Sequence, residues 1–421
     1  MAASPDLDPW LQGEPPSLPA IPALTTLTER RYCYWLTRER FAGEGQVVEL
    51  GCWLGAATAY LAAGLRDRGS AAKVTCIDRF IWAGEVHDRA FPGHFAKGDD
   101  FEPQFRANTD FISPYLDVVR ADLADFTWNG GPIEFLLVDA PKRRDIVLAF
   151  LASFGPHLIP GRSLVAFQDY IHAPSFALPM VLSEFDELQV AHVVLPGSTV
   201  VMELTRPLAL DAERLARSDP SSWSEAETLG RWDRILHPLP KNTRDAMALS
   251  LPMLLVSQGR IEAARAEARR IADIPAVRRR LNKWQNTYLA VLYRPVFEGA
   301  GVEVKPTTAE MYHRVSSEAL HAGRRDDARA AAEQALRLNP AYAPARRRLE
   351  MIDAQIAAEA ARRLRAEARE QARRSLATKP AKEPKPSKKA KGETKTGAAD
   401  AVRSTARPKS WWRRLLDIGN D

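Results

Sequence analysis

The chain has 421 residues, of which 45% are hydrophobic and 27% charged, a composition that is typical of globular domains and excludes collagen-like or wholly disordered chains. The formal net charge of +6 is concentrated from Thr378 onward, where 12 Lys or Arg and 5 Asp or Glu give +7 and leave −1 for all preceding residues. Because only this tail is basic, nucleic acid is not an expected partner of the folded part.

The sequence carries no segment typical of membrane insertion or secretion. No apolar run approaches the roughly 18 residues of a transmembrane helix, and Asp6, Asp8 and Glu14 lie where a signal peptide carries basic residues. The chain has three cysteines, an odd number that disfavours a disulfide framework, and their spacing is not that of a zinc site. We therefore expect a cytoplasmic protein with buried thiols.

At about 150 residues per domain, the length predicts two to three domains. Residues 1–30 are rich in proline without periodicity, which predicts an irregular N-terminal arm. Across residues 31–207, short apolar runs alternate with amphipathic stretches such as Ala56–Leu65 and Arg144–Phe154, a pattern typical of βαβ units. Seven strands are predicted: Gln46–Leu50, Val74–Ile77, Leu116–Val119, Ile133–Val138, Ser163–Phe167, Leu188–Val194 and Thr199–Leu204.

The last two predicted strands must form a hairpin. Only Leu195 to Ser198 separate them, whereas a parallel crossover needs about a dozen residues. The predicted fold class is therefore α/β, a doubly wound, mostly parallel seven-stranded sheet with an antiparallel terminal hairpin. We expect an all-α repeat-like region and a disordered basic tail after it.

The predicted helical region spans residues 208–376, which are rich in Ala and Arg at helical spacing. Gly323, Ala328, Ala335 and Asn339–Pro340 resemble the turn, the small packing residues and the stop of a tetratricopeptide repeat. The many charged residues of 346–376 predict a long charged helix. A protein partner is expected to bind through this repeat-like helical region.

Residues 377–421 form the predicted tail, in which Lys, Pro and Gly predominate over apolar residues, a composition typical of disorder. Its segment Trp411–Leu416 reads WWRRLL. Aromatic and apolar residues beside cations suit either peripheral contact with the inner face of a membrane or docking onto another protein.

The first predicted strand runs into the motif E-L-G-C-W-L-G, from Glu49 to Gly55, and a helix pattern follows directly. Glycine is needed where the backbone turns sharply or approaches a ligand closely. The fingerprint G-x-G-x-x-G is absent, which disfavours a nicotinamide oxidoreductase. The loop from Gly51 to Gly55 is thus a candidate for binding another cofactor.

Acidic residues end or follow four of the predicted strands: Asp78, Asp122, Asp139 and Asp169. Because open parallel sheets bind ligands at the carboxyl ends of their strands, these acids and the glycine loop are expected along one edge. An acid that ends the second strand can accept both ribose hydroxyls of a nucleoside, and an acid after the third can face its base. The sequence therefore predicts a nucleoside-containing ligand.

Over roughly residues 32–204 the chain resembles class I S-adenosylmethionine-dependent methyltransferases. The E-x-G-x-x-x-G stretch is similar to the first motif of that family, Asp78 to its ribose-binding acid, and the terminal hairpin to its usual sheet edge. The resemblance implies S-adenosylmethionine as cofactor, bound by Glu49, Gly51, Gly55, Asp78 and Asp122.

Two groups within that family are most similar. Val48–Trp53, Asp78–Phe80 and Gln168–Tyr170 resemble macrocin-type sugar O-methyltransferases. Val138–Lys142, together with Asp169, resembles the catechol and caffeoyl-CoA group. Both groups use a metal, so the resemblance implies metal-assisted O-methylation.

The resemblance to the catechol group implies specific roles at the site. Asp139 and Asp169 would bind a divalent cation such as Mg²⁺, and Lys142 would act as the general base. His172, which closely follows the fifth strand, is the alternative base. Tyr170 stands where the catechol group has an asparagine after its second aspartate.

An insert of 38 residues separates Asp78 from Asp117, which is more than a crossover helix needs. It contains Trp82, His87 and His94, and we expect it to form a lid over the substrate.

The sequence thus predicts a methyltransferase that transfers a methyl group from S-adenosylmethionine to a hydroxyl of a saccharide or another small molecule. The alternative is a methyltransferase-fold scaffold without turnover, whose helical repeats bind a protein. These two hypotheses differ in whether an acceptor is methylated.

Overall fold

The computed structural model describes residues 8–140, 144–284, 296–301, 308–321 and 325–357. The predicted Lys142, Gly323 and Trp411–Leu416 lie outside these ranges, as does the predicted long helix beyond residue 357. The chain forms two compact units, Met1–Val277 and Arg278–Asp421. Within the described part of the chain, every helix is too short or too polar to cross a membrane.

The first unit contains seven strands: β1 Gln46–Leu50, β2 Val74–Asp78, β3 Leu116–Arg120, β4 Ile133–Val138, β5 Leu164–Phe167, β6 Leu188–Val194 and β7 Thr199–Leu204. They form one sheet in the order β3-β2-β1-β4-β5-β7-β6. Strands β1 to β5 pair in parallel, and β7 runs antiparallel to both β5 and β6. The predicted sheet and its terminal hairpin are confirmed.

Burial along the strands explains why their apolar runs are readable in the sequence. Strand β4 lies in the middle of the sheet and is buried at all its positions, as expected for a parallel strand covered on both faces. Strand β6 lies at the edge and, between its buried first and last residues, has only exposed or half-buried positions. The centre of the sheet therefore forms the core of this unit.

Helices of the first unit surround the sheet, and a turn of π-helix spans Leu36–Arg40. The α-helices are α1 Leu27–Trp35, α2 Ala56–Asp67, α3 Glu85–Ala90, α4 Glu102–Thr109, α5 Arg144–Phe154, α6 Ala177–Leu182, α7 Ala212–Arg217, α8 Glu225–Leu236, α9 Lys241–Met247, α10 Ser250–Ser257, α11 Ile261–Ile271 and α12 Pro275–Trp284, which runs across the boundary between the units. Short 3₁₀ turns span Pro9–Leu11, Asp110–Tyr115, Gly155–His157, Ala173–Ser175 and Pro220–Ser222.

The N-terminal arm is irregular over most of its described length, but it is held in place. Trp10 is buried, with its ring centroid 4.9 Å from Tyr32 and 5.7 Å from Trp35. The Arg31 guanidinium donates hydrogen bonds to the carbonyls of Trp10, Leu11 and Gly13. Leu24, further along the arm, consequently reaches the carboxyl edge of the sheet, where it borders a cavity.

The insert between β2 and β3 is anchored in the core. Trp82, Phe101 and Phe105 within it are fully buried, and the indole Nε1 of Trp82 donates to Asp88 at 2.7 Å. Trp82 is therefore a core residue and is not part of the described lining of the cavity at the carboxyl edge of the sheet. Only part of the insert, including His87, borders the cavity described below.

Helices α7 and α8 are joined to the segment that precedes β6, and the first compact unit extends to Val277. The buried guanidinium of Arg214 in α7 pairs with Glu187 at 2.5 Å. Arg231 in α8 pairs with Glu184 at 2.7 Å. These ion pairs and the contact of α6 with α8 tie α7 and α8 to α6 and to the connection between α6 and β6.

The second unit contains a packed pair of helices, Ala309–His321 and Arg325–Leu338. Ala328 and Ala335 are fully buried, and the Ser316 hydroxyl donates to the Ala328 carbonyl at 2.6 Å. A further helix starts at residue 343 and continues to the last described residue, 357. The small residues thus lie in the interface between two helices, while their assignment to a tetratricopeptide repeat stays a prediction.

Candidate functional site

The glycine loop joins β1 to α2 and needs glycine at both of its ends. Gly51 and Gly55 have φ angles of +86° and +93°, a backbone conformation that favours glycine. A Cβ on Gly55 would lie 2.5 Å from Cγ2 of Thr109, and one on Gly51 would lie 3.2 Å from the Ala140 nitrogen. The loop therefore lies against α4 on one side and the end of β4 on the other.

Asp78 at the end of β2 holds the middle of this loop. Its carboxylate accepts the backbone N–H of Trp53 at 3.1 Å and that of Phe80 at 2.8 Å. Burial raises the pKa of Asp78, and these hydrogen bonds oppose the rise. Each carboxylate oxygen has a second lone pair, so the group can still accept hydrogen bonds from a ligand.

A cavity of about 400 Å³ opens at the carboxyl edge of the sheet, a volume within the range of small-molecule sites. Predicted residues that end or follow four different strands border it. The described lining comprises Leu24, Gly51, Trp53, Ile77, Asp78, Arg79, Ile81, Ala83, His87, Phe101, Ala121, Asp122, Leu123, Asp139, Ala140 and Ile146. The structure therefore brings Gly51, Asp78, Asp122 and Asp139 to one cavity.

The acids of this cavity differ in their surroundings. Asp122 is exposed and forms an ion pair of 3.5 Å with Arg79. Asp139 directly follows β4, and its backbone N–H donates to the Leu50 carbonyl at 2.9 Å. Asp78 and Asp139 also act on Glu49, because their negative charges disfavour its ionised form.

Glu49 is buried and borders a smaller cavity of about 30 Å³, which Leu24, Gln168 and Asp139 also line. Its carboxylate accepts a hydrogen bond from the Thr58 hydroxyl at 2.5 Å. Burial, with the charges of Asp139 and Asp78 adding to it, raises the pKa of Glu49 to about 8. Glu49 therefore binds a proton near neutral pH.

Asp169 and His172 lie beside the turn between β6 and β7. Asp169 has a φ of +60° and accepts the Ser198 hydroxyl at 3.1 Å. His172 is exposed, and its backbone N–H donates to the Asp169 carbonyl at 3.0 Å. Neither residue is part of the described lining of the 400 Å³ cavity.

The residues predicted to bind a metal, Asp139 and Asp169, are not the described residues whose possible ligand atoms lie close together. Among the described residues, a group of three such atoms within 4.8 Å of one another comes from Glu49, Cys52 and Cys76. Burial raises the pKa of both thiols, and Mg²⁺ prefers oxygen ligands, so this group does not suit Mg²⁺. A Mg²⁺ site with Asp139 and Asp169 stays a prediction, as does the role of Lys142.

Sequence reasoning missed Trp53 as a site residue, although it lies within the glycine motif. Trp53 borders both cavities, and its buried indole Nε1 has no hydrogen-bond partner among the described residues. Its ring centroid lies 6.1 Å from that of Trp82 in a stacked arrangement. The sequence could have indicated Trp53, because a large side chain stands between two glycines that the backbone requires. A loop at the end of a strand carries its side chains to the edge of the sheet where ligands bind.

A comparison with protein families gives a match that includes strand ends bordering this cavity. Residues 48–170 match a family model described as a methyltransferase domain. No curated protein matches the chain.

Similar solved structures include the calicheamicin methyltransferase CalS11, at 16% identity over 42% of this chain and 78% of that chain, with a TM-score of 0.34. An apo structure of CalS11, described as a TDP-rhamnose 3'-O-methyltransferase, matches at 15% identity over 42% and 78%, with a TM-score of 0.32. Cofactor-bound Rv0187 from MTB matches at 17% identity over 45% and 84%, with a TM-score of 0.31.

Proposed function

We propose that this protein is an S-adenosylmethionine-dependent methyltransferase that modifies a hydroxyl of a saccharide or another small molecule. The observation that carries the proposal is the cavity where Gly51, Asp78, Asp122 and Asp139 meet. All four lie within the residues that match the methyltransferase domain. The saccharide is proposed from the resemblance of the sequence to sugar O-methyltransferases.

The residues present fit the cofactor. The cavity is large enough for part of a nucleoside, and the missing side chain of Gly51 allows close approach of the backbone. Asp78 would hold the ribose hydroxyls, Asp122 would face the base, and the loop from Gly51 to Gly55 would lie along the amino-acid part. The Nε1 of Trp53 is buried and has no partner in the part of the chain that the structure describes, so a ligand can satisfy this donor.

When bound, S-adenosylmethionine supplies an electrophilic methyl group. The contribution of the chain is then mainly positioning, because holding two reactants in line removes much of the entropic barrier. Asp139 borders the cavity and can accept a hydrogen bond from the hydroxyl that is methylated. Asp139 would thereby orient that hydroxyl and raise its nucleophilicity.

Metal and base assistance form a separate part of the proposal. Asp139 and Asp169 are proposed as carboxylate ligands of Mg²⁺, with Lys142 or His172 as the base, on the resemblance of Val138–Lys142 to the catechol group. A protein partner for the repeat-like helices is proposed from the packed pair Ala309–His321 and Arg325–Leu338. That pair also supports the alternative, a scaffold without turnover.

The proposal is tested with the full chain by titration calorimetry with S-adenosylmethionine and S-adenosylhomocysteine. Methyl transfer is then measured with isotope-labelled donor on a panel of hydroxylated sugars and phenols. Binding with transfer to a hydroxyl supports the enzyme. Binding without transfer to any compound or cell extract favours the scaffold, and failure to bind either ligand contradicts the proposed enzyme.

A further inference from the structure

A cavity of about 510 Å³ lies between the N-terminal arm and the stretch that runs from α1 into the π turn. We call it the arm cavity. The arm borders it with residues between Pro9 and Pro15, and the helical stretch borders it with residues between Arg31 and Arg40. Its volume lies within the range of small-molecule sites. It shares no described lining residue with the 400 Å³ cavity at the strand ends, so it belongs to a different part of the first unit.

The walls of the arm cavity are fixed by contacts of their own. The Arg31 guanidinium donates to three carbonyls of the arm. The Tyr34 hydroxyl donates to Asp67 at 2.9 Å, and the Trp35 ring centroid lies 5.7 Å from that of Trp10. A ligand that enters a cavity with fixed walls loses little affinity to ordering them.

Two aromatic side chains on the helical wall remain partly open. Tyr34 and Trp35 both border the arm cavity and are half-buried. The Arg38 guanidinium lies 5.6 Å from the Tyr34 ring centroid and donates to the Tyr34 hydroxyl at 3.0 Å, which holds that ring further. Aromatic side chains pack favourably against other rings in offset or edge-to-face arrangements. This wall therefore suits a ligand that has an aromatic ring.

The charged side chains of the arm cavity are mainly cationic. They are three arginines and two acids: Arg31, Arg38, Arg40, Glu14 and Glu39. Arg38 forms an ion pair of 3.3 Å with Glu39. Arg40 is exposed and forms no ion pair with another described residue. Because a guanidinium binds carboxylate and phosphate groups through paired N–H donors, Arg40 is the cation that suits an anionic ligand.

The backbone that carries Arg40 is irregular at this point. Helix α1 passes into the π turn Leu36–Arg40, which the N–H of Phe41 closes by donating to the Leu36 carbonyl at 3.0 Å. Single π turns are rare and occur frequently at functional sites. The last three residues of this turn all border the arm cavity. The irregular backbone and the cavity therefore coincide.

We propose that the arm cavity binds an organic anion that carries an aromatic ring. The anionic group pairs with the Arg40 guanidinium, and the ring packs against Tyr34 and Trp35. A carboxylate and a phosphate both suit Arg40, so the ligand is a carboxylated or phosphorylated aromatic molecule. A neutral ring would leave the charge of Arg40 without a partner, and an anion without a ring would leave the aromatic wall uncovered.

The test is titration calorimetry of the full chain with matched probes. The anions are 1-naphthoate and 1-naphthyl phosphate, the neutral probe is 1-naphthamide, and the anion without a ring is acetate. We expect at least one aromatic anion to bind about 10- to 100-fold more tightly than 1-naphthamide, as for a hydrogen bond to a charged group. Acetate should bind at least about 10-fold more weakly than that anion. The tighter of the two aromatic anions identifies the anionic group.

Substitutions separate the charge from the ring. Arg40→Gln should remove the preference for the anion over 1-naphthamide, and Arg40→Lys, which keeps the charge, should retain most of it. Tyr34→Leu should weaken 1-naphthoate and 1-naphthamide by similar factors, because packing of the ring does not depend on charge. Circular dichroism verifies that each variant is folded. Arg40 is exposed, so its substitutions are not expected to unfold the chain.

Arg79→Gln is the matched control, because Arg79 is an exposed arginine that borders the 400 Å³ cavity instead. It should leave all affinities for the probes unchanged. Saturation with S-adenosylhomocysteine should not displace the anion, since the two cavities share no described lining residue. The inference is overturned if neither aromatic anion binds, if 1-naphthamide binds equally well, or if Arg79→Gln abolishes binding and Arg40→Gln does not. Displacement by S-adenosylhomocysteine also overturns it, whereas failure of the chain to bind S-adenosylhomocysteine bears on the proposed function alone.

Discussion

The backbone N–H of Trp53 donates a hydrogen bond of 3.1 Å to the carboxylate of Asp78. This bond joins the loop after β1 to the end of β2, although 24 residues lie between the two positions. The acid that the sequence predicts to bind ribose therefore also shapes the glycine loop. Changes at Asp78 are expected to act on a ligand both directly and through this loop.

Replacing Asp78 by Asn should weaken S-adenosylhomocysteine binding about tenfold or more. The substitution removes a charged acceptor, and a hydrogen bond to a charged group is worth about 1.5–3 kcal/mol. Asp117→Asn is the control, because Asp117 is an exposed acid of β3 that pairs with Lys73 at 3.3 Å. Calorimetry in which both variants bind like the parent contradicts the assignment of Asp78.

Gly55→Ala should destabilise the protein more than Gly69→Ala. Both glycines have positive φ, so the left-handed conformation of each alanine should lower the free energy of unfolding by about 1–2 kcal/mol. Only at Gly55 would the new Cβ collide with Thr109, since nothing lies within 4 Å at Gly69, and overpacking adds about 1–3 kcal/mol. Urea denaturation measures the difference, and equal midpoints and slopes for the two variants would falsify the close contact.

The buried carboxyl of Glu49 should make stability depend on pH. Its pKa rises from 4.5 to about 8 on folding, so the folded state binds more protons than the unfolded state between these values. The contribution of Glu49 to the free energy of unfolding is therefore fully present below about pH 4.5 and is lost as the pH rises towards 8. Each pKa unit corresponds to about 1.4 kcal/mol.

Glu49→Gln should remove this part of the pH profile. The glutamine keeps the size of the side chain and cannot ionise. The free energy of unfolding of the variant should therefore rise relative to that of the parent between pH 5 and pH 8. Urea denaturation at several pH values measures it. Parallel profiles for the two proteins would show that Glu49 titrates normally.

If Mg²⁺ assists the reaction, Asp169→Ala should abolish methyl transfer and leave S-adenosylhomocysteine affinity nearly unchanged, because Asp169 is not part of the described lining of the cavity. Ser198→Ala is the matched variant, since the Ser198 hydroxyl donates to Asp169 at 3.1 Å; it should lower transfer by a smaller factor. EDTA should inhibit the parent and Mg²⁺ should restore it.

The base is identified by a parallel comparison. Lys142→Ala should lower transfer by about 10²–10⁴, the usual value of general-base assistance. Transfer that resists EDTA and survives Lys142→Ala, but is lost in His172→Ala, would assign the base to His172 and reject the metal.

Arg214→Ala should destabilise the first unit by about 3–5 kcal/mol, the usual effect of removing one partner from a buried ion pair. Its side chain is 11% exposed and that of Glu187 is 5% exposed, so the substitution leaves Glu187 buried without its cation. Arg206→Ala is the control, because the Arg206 and Asp186 side chains are 58% and 73% exposed, and such surface pairs contribute below about 1 kcal/mol. Equal stabilities in urea would show that the pair of Arg214 with Glu187 does not stabilise the first unit.

The sequence by itself determined the strands and the edge at which their carboxyl ends meet. The strand β4 is recognisable because a strand covered on both faces must be apolar throughout. The hairpin followed from a connection too short for any crossover. Gly51, Asp78, Asp122 and Asp139 were identifiable because each follows a strand that local periodicity already marks.

Only the tertiary structure decided which side chains face the cavity and which are covered. Trp82 of the insert became a core residue, the Trp53 indole found no acceptor among the described residues, and Asp169 came to lie beside Ser198. The pairing of Arg214 with Glu187 likewise joins segments 27 residues apart. Local periodicity reports which face of an element is apolar, whereas these outcomes depend on contacts between elements that are distant in sequence, and those contacts form only when the chain packs.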